Sequence, residues 1–271
     1  MRRTLALAAL SWPLSMPICL AQEPSGLPLS GEAAETFLRT ADVLGKRALG
    51  LGITHSDQYT LSDGTWRLKA VWKTIDEFKR GVTRFEDGGF IVDFADSWKH
   101  EVAAYELDKV LGLQLVPPTV ERTFGRATGA LQMWVEGAMT EADRKREKIE
   151  PPDPRAWNEQ VYKVRLLHQL TFNTDSRNVR NLLVDRAFRI YAIDASRAFA
   201  IYGELRSEKE LTRFSRSVLE ALRSLDRPTL DAKLGRWLDG PQIEAVLKRR
   251  DKILTRATRL LQEQGEAAVL Y

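Results

Sequence analysis

The chain has 271 residues, 44% of them hydrophobic and 29% charged. This ordinary globular composition excludes a disordered chain, a collagen repeat and a long coiled coil. The 41 basic and 37 acidic residues leave a formal charge of +4, with the signs mixed along the chain and no dense Lys/Arg block to mark a nucleic-acid surface.

Arg2 and Arg3 precede a mostly apolar run from Leu5 to Leu20, followed by Ala21. That layout predicts a secretory signal peptide over residues 1–21. Trp12, Pro13 and Pro17 break the run, which is too short for a membrane-spanning helix. No later segment approaches the roughly 20 apolar residues a span requires. The expected product is exported, to a periplasm or outside the cell. Cleavage removes Cys19, the only cysteine, and with it thiol chemistry. His55, His100 and His168 lack the i, i+4 spacing of a paired metal site.

Residues 22–31 read as a polar linker. Phe37, Leu38, Ala41, Leu44 and Leu49 stand near helical spacing and predict a helix over 32–49, closed by Gly50-Leu51-Gly52. Residues 58–61 and 66–73 alternate around Ser62-Asp63-Gly64, which predicts a hairpin. Residues 98–112 form a helix with Ala103, Leu107, Val110 and Leu111 as its stripe and Gly112 as its stop. After Pro117-Pro118, residues 119–123 and 130–135 read as strands. These parts make a first lobe over 32–135. A connector over 136–155 is charged and rich in proline. A second lobe over 156–271 is mainly helical. Within it, a helix over 156–172 precedes two short strands, 182–184 and 189–193. Three more helices within 208–264 are separated near Pro228 and Gly240-Pro241. The fold class expected is α+β: a small sheet with one helix, then a mostly helical lobe.

One polar series carries chemistry. Asp175 is followed by Asn178 and Asn181, Asn181 opens an apolar strand, and Asp194 closes the next strand. Phosphoryl transfer uses this order: an Asp for the acceptor hydroxyl, then an Asn and an Asp as oxygen ligands for a hard cation. It also needs positive charge over the phosphates. Lys73 closes a strand in the first half, and Glu101 lies in the first turn of the following helix.

These segments resemble the atypical protein-kinase-like families, namely phosphatidylinositol 4-kinases, bacterial persistence-toxin kinases and secretory-pathway kinases. The resemblance rests on N-T-D, N-L-L and I-D-A-S-R-A-F in the second half. In the first half it rests on L-K-A-V-W-K-T-I-D and H-E-V-A-A-Y-E-L-D-K-V-L-G-L-Q-L-V-P-P-T-V-E-R. It covers roughly residues 50–200 and implies a two-lobed kinase-like fold. It further implies Asp175 as the catalytic Asp, with Asp194 and Asn181 as ligands of Mg or Mn. Lys73 would touch the phosphates of ATP or another nucleotide, and Glu101 would hold Lys73. Gly50 and Gly52 would sit in the loop over the nucleotide, and Gln132 to Trp134 near its base. The acceptor would be a hydroxyl on a protein, lipid or sugar. Two assignments stay open. The family's Asn usually lies five residues after the catalytic Asp, whereas Asn178 and Asn181 lie three and six after it. Helical periodicity favours Glu106 over Glu101 for the inward face. Adenylyl transfer on the same fold, a binding module without catalysis and a helical scaffold are the alternative functions. The joint presence of Lys73, Asp175 and Asp194 favours an enzyme.

Overall fold

The computed structural model describes residues 26–50, 56–84 and 90–271. The signal segment, Gly52 and His55 lie outside the described residues. The chain enters through α1 (Gly31–Thr40) and continues as β1 (Asp42–Ala48), β2 (Asp57–Ser62) and β3 (Arg67–Lys73). A hairpin follows, β4 (Asp76–Arg84) and β5 (Phe90–Ser97), then α2 (Trp98–Leu111), β6 (Thr119–Phe124) and β7 (Ala127–Met133). Five of these strands form one antiparallel sheet in the order β1-β2-β3-β7-β6, and among the described residues β4 pairs only with β5.

The expected helix over 32–49 is half helix and half strand. Phe37, Leu38 and Ala41 are buried against the sheet, where α1 meets Tyr59, Leu61 and Trp72. At Ala41 the backbone turns extended, with φ −60° and ψ 142°. Val43 and Leu44 then lie on an edge strand, 42% and 54% exposed. Leu44 completed a helical spacing in the sequence without sharing the buried face. The β4–β5 hairpin is absent from the sequence reading. Phe78 and Val82 face solvent there, so no apolar alternation marks an inward side.

The 62–64 turn forms as expected, with Asp63 accepting hydrogen bonds from the backbone N–H of Thr65 and Trp66. Helix α2 also forms where expected. Ser97 caps its start by accepting from the Lys99 N–H, and Gly112 ends it in the left-handed region with φ 63°. Its surroundings are unusual for an amphipathic helix. It packs against β6 and β7 on one side and α5 (Arg216–Ser224) and α6 (Arg227–Leu234) on another. Ten of its fourteen residues are buried, which leaves no broad polar face.

The expected connector contains β8 (Met139–Thr140) and α3 (Glu141–Arg146). The second lobe is built on α4 (Pro154–Thr171), α5, α6, α7 (Gly240–Gln264) and α8 (Glu266–Val269). Asp153 and Pro154 start α4, and an Asp239–Gln242 capping box with Pro241 starts α7. A small sheet, β10 (Ile190–Ala192), β9 (Leu182–Val184) and β8, lies beside α3. One apolar core joins α2 to this lobe through Ala103, Leu107, Leu111, Leu167, Leu170 and Phe199. A second fills the space between α1 and the five-stranded sheet. Helix α2 lies where the two parts meet, and Lys73, Glu101 and the loop after β10 converge there.

Candidate functional site

Lys73 is the last residue of β3. Its ammonium donates to Glu101 Oε1 at 2.6 Å and to Asp194 Oδ1 at 2.9 Å. The Glu101 side chain is 1% exposed. Its second oxygen, Oε2, accepts from the Ala195 N–H at 3.1 Å, which ties α2 to the loop after β10. Glu106, the competing candidate, instead pairs with Lys109 on the same helix at 2.9 Å. Helical periodicity misled because α2 is covered on most of its circumference, so the buried polar position looked no different from an outward one.

The charges settle one another in a setting that is buried around Lys73 and Glu101 and open to water at Asp194. Burial disfavours the charged Lys73, but Glu101 and Asp194 outweigh it and hold its pKa above the usual lysine value. Burial pushes Glu101 up, against the pull of Lys73, and the neighbouring Asp194 adds to the rise. Asp194 also feels burial, but Lys73 brings it below the usual carboxylate range. Two carboxylates around one ammonium carry a net negative charge, which suits a further cation.

Asp194 adopts φ 61°, a left-handed backbone that Asp tolerates better than most residues. Several contacts fix the loop around it. Ser196 Oγ reaches Asp194 Oδ1 at 3.4 Å. The Ser196 carbonyl accepts from the Ser97 N–H and meets His100 Nδ1 at 2.8 Å. The Gln242 amide meets the other ring nitrogen, His100 Nε2, at 3.0 Å. Arg197 donates to the buried Asp96 at 2.9 Å. Sequence reading missed Asp96, His100, Ser196, Arg197 and Gln242 as supports. Ser196, Arg197 and His100 lie in the motif segments, but the contacts that make His100, Asp96 and Gln242 supports span 96, 101 and 142 residues.

The second half of the site follows α4. Phe172 ends that helix in the left-handed region, and Asn173 then bridges to the Asp175 N–H at 2.9 Å. Asp175 Oδ2 accepts from Asn178 Nδ2 at 3.1 Å and from Asn181 Nδ2 at 2.8 Å. A single 3₁₀ turn, Val179–Asn181, takes up the irregular spacing. Both asparagines therefore reach one carboxylate oxygen. Asp175 Oδ1 accepts no hydrogen bond among the described residues. The Thr174 N–H donates to the Arg197 carbonyl and the Ile193 N–H to the Asn181 carbonyl. These bonds stitch the Asp175 loop to the Asp194 loop.

The remaining candidates occupy separate places. Gly50, with φ 61°, lies past β1 in the β1–β2 connection, where the Leu49 N–H reaches the Ser56 carbonyl. It is thus on a hairpin and not at a helix end. Gln132 is buried, and its amide donates to Thr119 Oγ1 at 2.9 Å. Trp134 follows β7, and its N–H donates to the Lys69 carbonyl at 3.0 Å.

Among the described residues, no three His, Cys, Asp or Glu side chains converge to hold a metal. The available set is smaller and made of oxygen: Asp194, whose Oδ2 accepts no hydrogen bond among the described residues, and the amide oxygen of Asn181. Such a set fits a hard cation that takes its remaining ligands from phosphates and water.

No family model matches the sequence, and no curated protein matches it. Solved structures do match in three dimensions. A hydra Fam20 solved with sugar superposes with a TM-score of 0.62 at 13% identity, covering 87% of this chain and 90% of that one. The Golgi casein kinase gives 0.61 at 16% identity, covering 87% of this chain and 77% of that one. The Helicobacter pylori proinflammatory kinase CtkA gives 0.53 at 13% identity, covering 82% and 98%. This chain has the α+β fold of the atypical protein-kinase-like proteins.

Proposed function

We propose that the protein is an exported phosphotransferase that moves a phosphoryl group from a nucleotide such as ATP to a hydroxyl acceptor. The observation that carries this reading is Lys73 held between Glu101 and Asp194, with the Asp175 loop hydrogen-bonded to the loop that bears Asp194. Lys73 binds the phosphates, and Glu101 keeps its ammonium in place. Asp175, with Oδ1 unengaged and Oδ2 steadied by two amides, accepts the proton of the attacking hydroxyl. The new bond joins the acceptor oxygen to the terminal phosphorus as its bond to the nucleoside diphosphate breaks. Asp194 and Asn181 would hold Mg²⁺ or Mn²⁺, which supplies positive charge to the phosphates. Gly50, together with Gly52, would cover the nucleotide, and Gln132 and Trp134 would lie near its base. The signal-like segment over 1–21 supports export, and none of the described helices is long and apolar enough to cross a membrane.

The test is a melting curve with ATP and Mg²⁺ or Mn²⁺, set against ATP alone and metal alone, followed by nucleoside diphosphate release with protein, lipid and sugar acceptors. At a hundredfold excess over Kd, binding adds about 2.7 kcal/mol, a shift of a few degrees. The expected result is a metal-dependent shift that disappears in Asp194→Ala. No shift under any condition would overturn the reading in favour of a fold used without its nucleotide.

A further inference from the structure

Behind the Asp175 loop, the helical lobe and α3 border a half-open cavity of about 880 Å³, which lies in the range of small-molecule sites. Its apolar wall comes from Trp157, Val161 and Val164 on α4 and from Leu182, Val184 and Ile190 on β9 and β10. Its polar wall is mainly cationic, with Arg144, Lys145, Arg165, Arg177 and Arg206.

The acids there do not balance these cations. Glu141 is occupied by Arg144 at 2.7 Å and Lys145 at 3.5 Å. Glu204 pairs with Lys252, which is not part of the wall, at 2.6 Å. Glu210 meets the amide of Gln169 at 3.5 Å. Arg165, Arg177 and Arg206 have no carboxylate within 4.0 Å among the described residues. Burial lowers the Arg206 pKa, and the neighbouring Arg177 guanidinium lowers it further. Glu210 and Asp175 pull the other way without pairing with it. Arg177 and Arg206 stand near enough to act on each other, both reach water at the rim of the cavity, and neither is in an ion pair among the described residues, so together they suit a carboxylate or phosphate.

His168 lines the same cavity, and its ring has no hydrogen-bond partner among the described residues. Burial, with Arg206 adding to it, takes its pKa down to about 4, so it is a neutral polar contact at physiological pH. Arg206 also donates to the Asn173 carbonyl and, at 2.8 Å, to Ser176 Oγ, on either side of Asp175. Whatever sits on Arg206 is therefore one residue contact from the Asp175 loop.

We propose that this cavity binds a small amphipathic anion, its carboxylate or phosphate head on Arg177 and Arg206 and its apolar body against α4, β9 and β10. An uncharged apolar ligand would leave the guanidinium groups unmatched, and a compact inorganic anion would leave the apolar wall uncovered. The site is separate from the nucleotide site, which lies on the Lys73 side of the Asp175 loop.

The test uses 8-anilinonaphthalene-1-sulfonate, an aromatic anion whose fluorescence rises in apolar surroundings. The expected result is one saturable site from which decanoate and decyl phosphate displace the dye at least tenfold better than decanol does. Arg177→Gln should weaken dye binding tenfold or more with little change in melting temperature, and Arg206→Gln should weaken it as much, with a lower melting temperature because its bonds to Asn173 and Ser176 are lost. Val161→Trp should occupy the apolar wall and weaken dye binding, with Leu182→Phe as the second variant if the first folds poorly. Hydrogen exchange of the amides at 174–178 should slow when decanoate is bound. Equal displacement by decanol and decanoate, or undiminished binding in both arginine variants, would overturn the proposal. The melting shift with ATP and metal is an independent readout, so loss of the nucleotide reading would leave the anion site standing, and the reverse.

Discussion

The two halves of the site are held by different means. Lys73, Glu101 and Asp194 come from three elements, and the contacts of Lys73 span 28 and 121 residues of sequence. Their geometry exists only once the sheet, α2 and the helical lobe have packed. Asp175, Asn178 and Asn181 lie within seven residues and hold one another through a short turn. The first half is charge-paired and buried at Lys73 and Glu101, with Asp194 at its open edge; the second holds one carboxylate between neutral amides and is half open. Damage to the first half should therefore appear as lost stability as well as lost binding. Damage to the second should appear mainly in turnover.

The largest expected effect follows from that contrast. Asp175→Ala should lower nucleoside diphosphate release by about 10²–10⁴-fold, the contribution typical of a positioned general base. Its melting temperature and its nucleotide-dependent shift should stay close to those of the parent. A variant that kept normal turnover would remove Asp175 from its role, and one that failed to fold would end the contrast between the halves.

Next comes the pair Glu101→Ala and Glu106→Ala. Removing Glu101 leaves Lys73 with one of its two acids and orphans the Ala195 N–H. Breaking a buried pair costs about 3–5 kcal/mol, and the remaining Asp194 contact places the expected loss near the lower end. Glu106 serves a part-exposed i, i+3 pair with Lys109, so its removal should cost no more than about 1 kcal/mol. Urea unfolding of both variants checks the difference. Equal losses would mean that α2 presents both glutamates to comparable surroundings.

How much of this was legible in the sequence follows the same division. The Asp175 loop could be read because its members are close in the chain and its turn chemistry is local. The order Lys, Glu, Asp, Asn, Asp was also readable, because each residue stands at the end of an element with its own pattern. The choice of Glu101 over Glu106 was not readable from periodicity, which assumes one wet face on a helix that has almost none. The β1 strand was hidden because Leu44 imitates a helical spacing while facing solvent. The β4–β5 hairpin was hidden because a two-stranded ribbon with Phe78 and Val82 outside has no inward alternation. The supports Asp96, His100 and Gln242 were invisible for a further reason: a buried polar side chain has no sequence signature until its distant partner is known.

A pH series sharpens the comparison from the side of the second half. His168 lies seven residues before Asp175, and burial lowers its pKa from the usual 6.5 to about 4. The unfolded chain therefore binds more protons between those values, so His168 makes stability fall as pH drops from about 6.5 to 4, by about 3 kcal/mol in all. Asp108 acts oppositely. Burial raises its pKa to about 6, so it removes stability as pH rises from about 4 to 6. The two slopes partly cancel in the parent protein. The difference between parent and His168→Leu isolates the histidine, and its slope over this window should approach one proton. A flat difference would show that His168 titrates normally in the folded protein.

The smallest effect lies at the start of α2. Ser97 accepts from the Lys99 N–H at 3.2 Å and donates to Asp76 at 2.7 Å, while its own N–H donates to the Ser196 carbonyl at 2.9 Å. Ser97→Ala removes the first two and keeps the third, for a loss of about 1 kcal/mol typical of an N-cap. Glu101 sits one turn further on, held by Lys73 and the Ala195 N–H as well as by the helix. The cap should therefore matter for stability and not for the position of Glu101. Its expected signature is a melting temperature lowered by a few degrees at most, with an unchanged shift on adding ATP and Mg²⁺. A cap variant that lost the nucleotide shift while remaining folded would mean that the triad depends on local helix geometry, and the proposed division between a long-range half and a local half would fail.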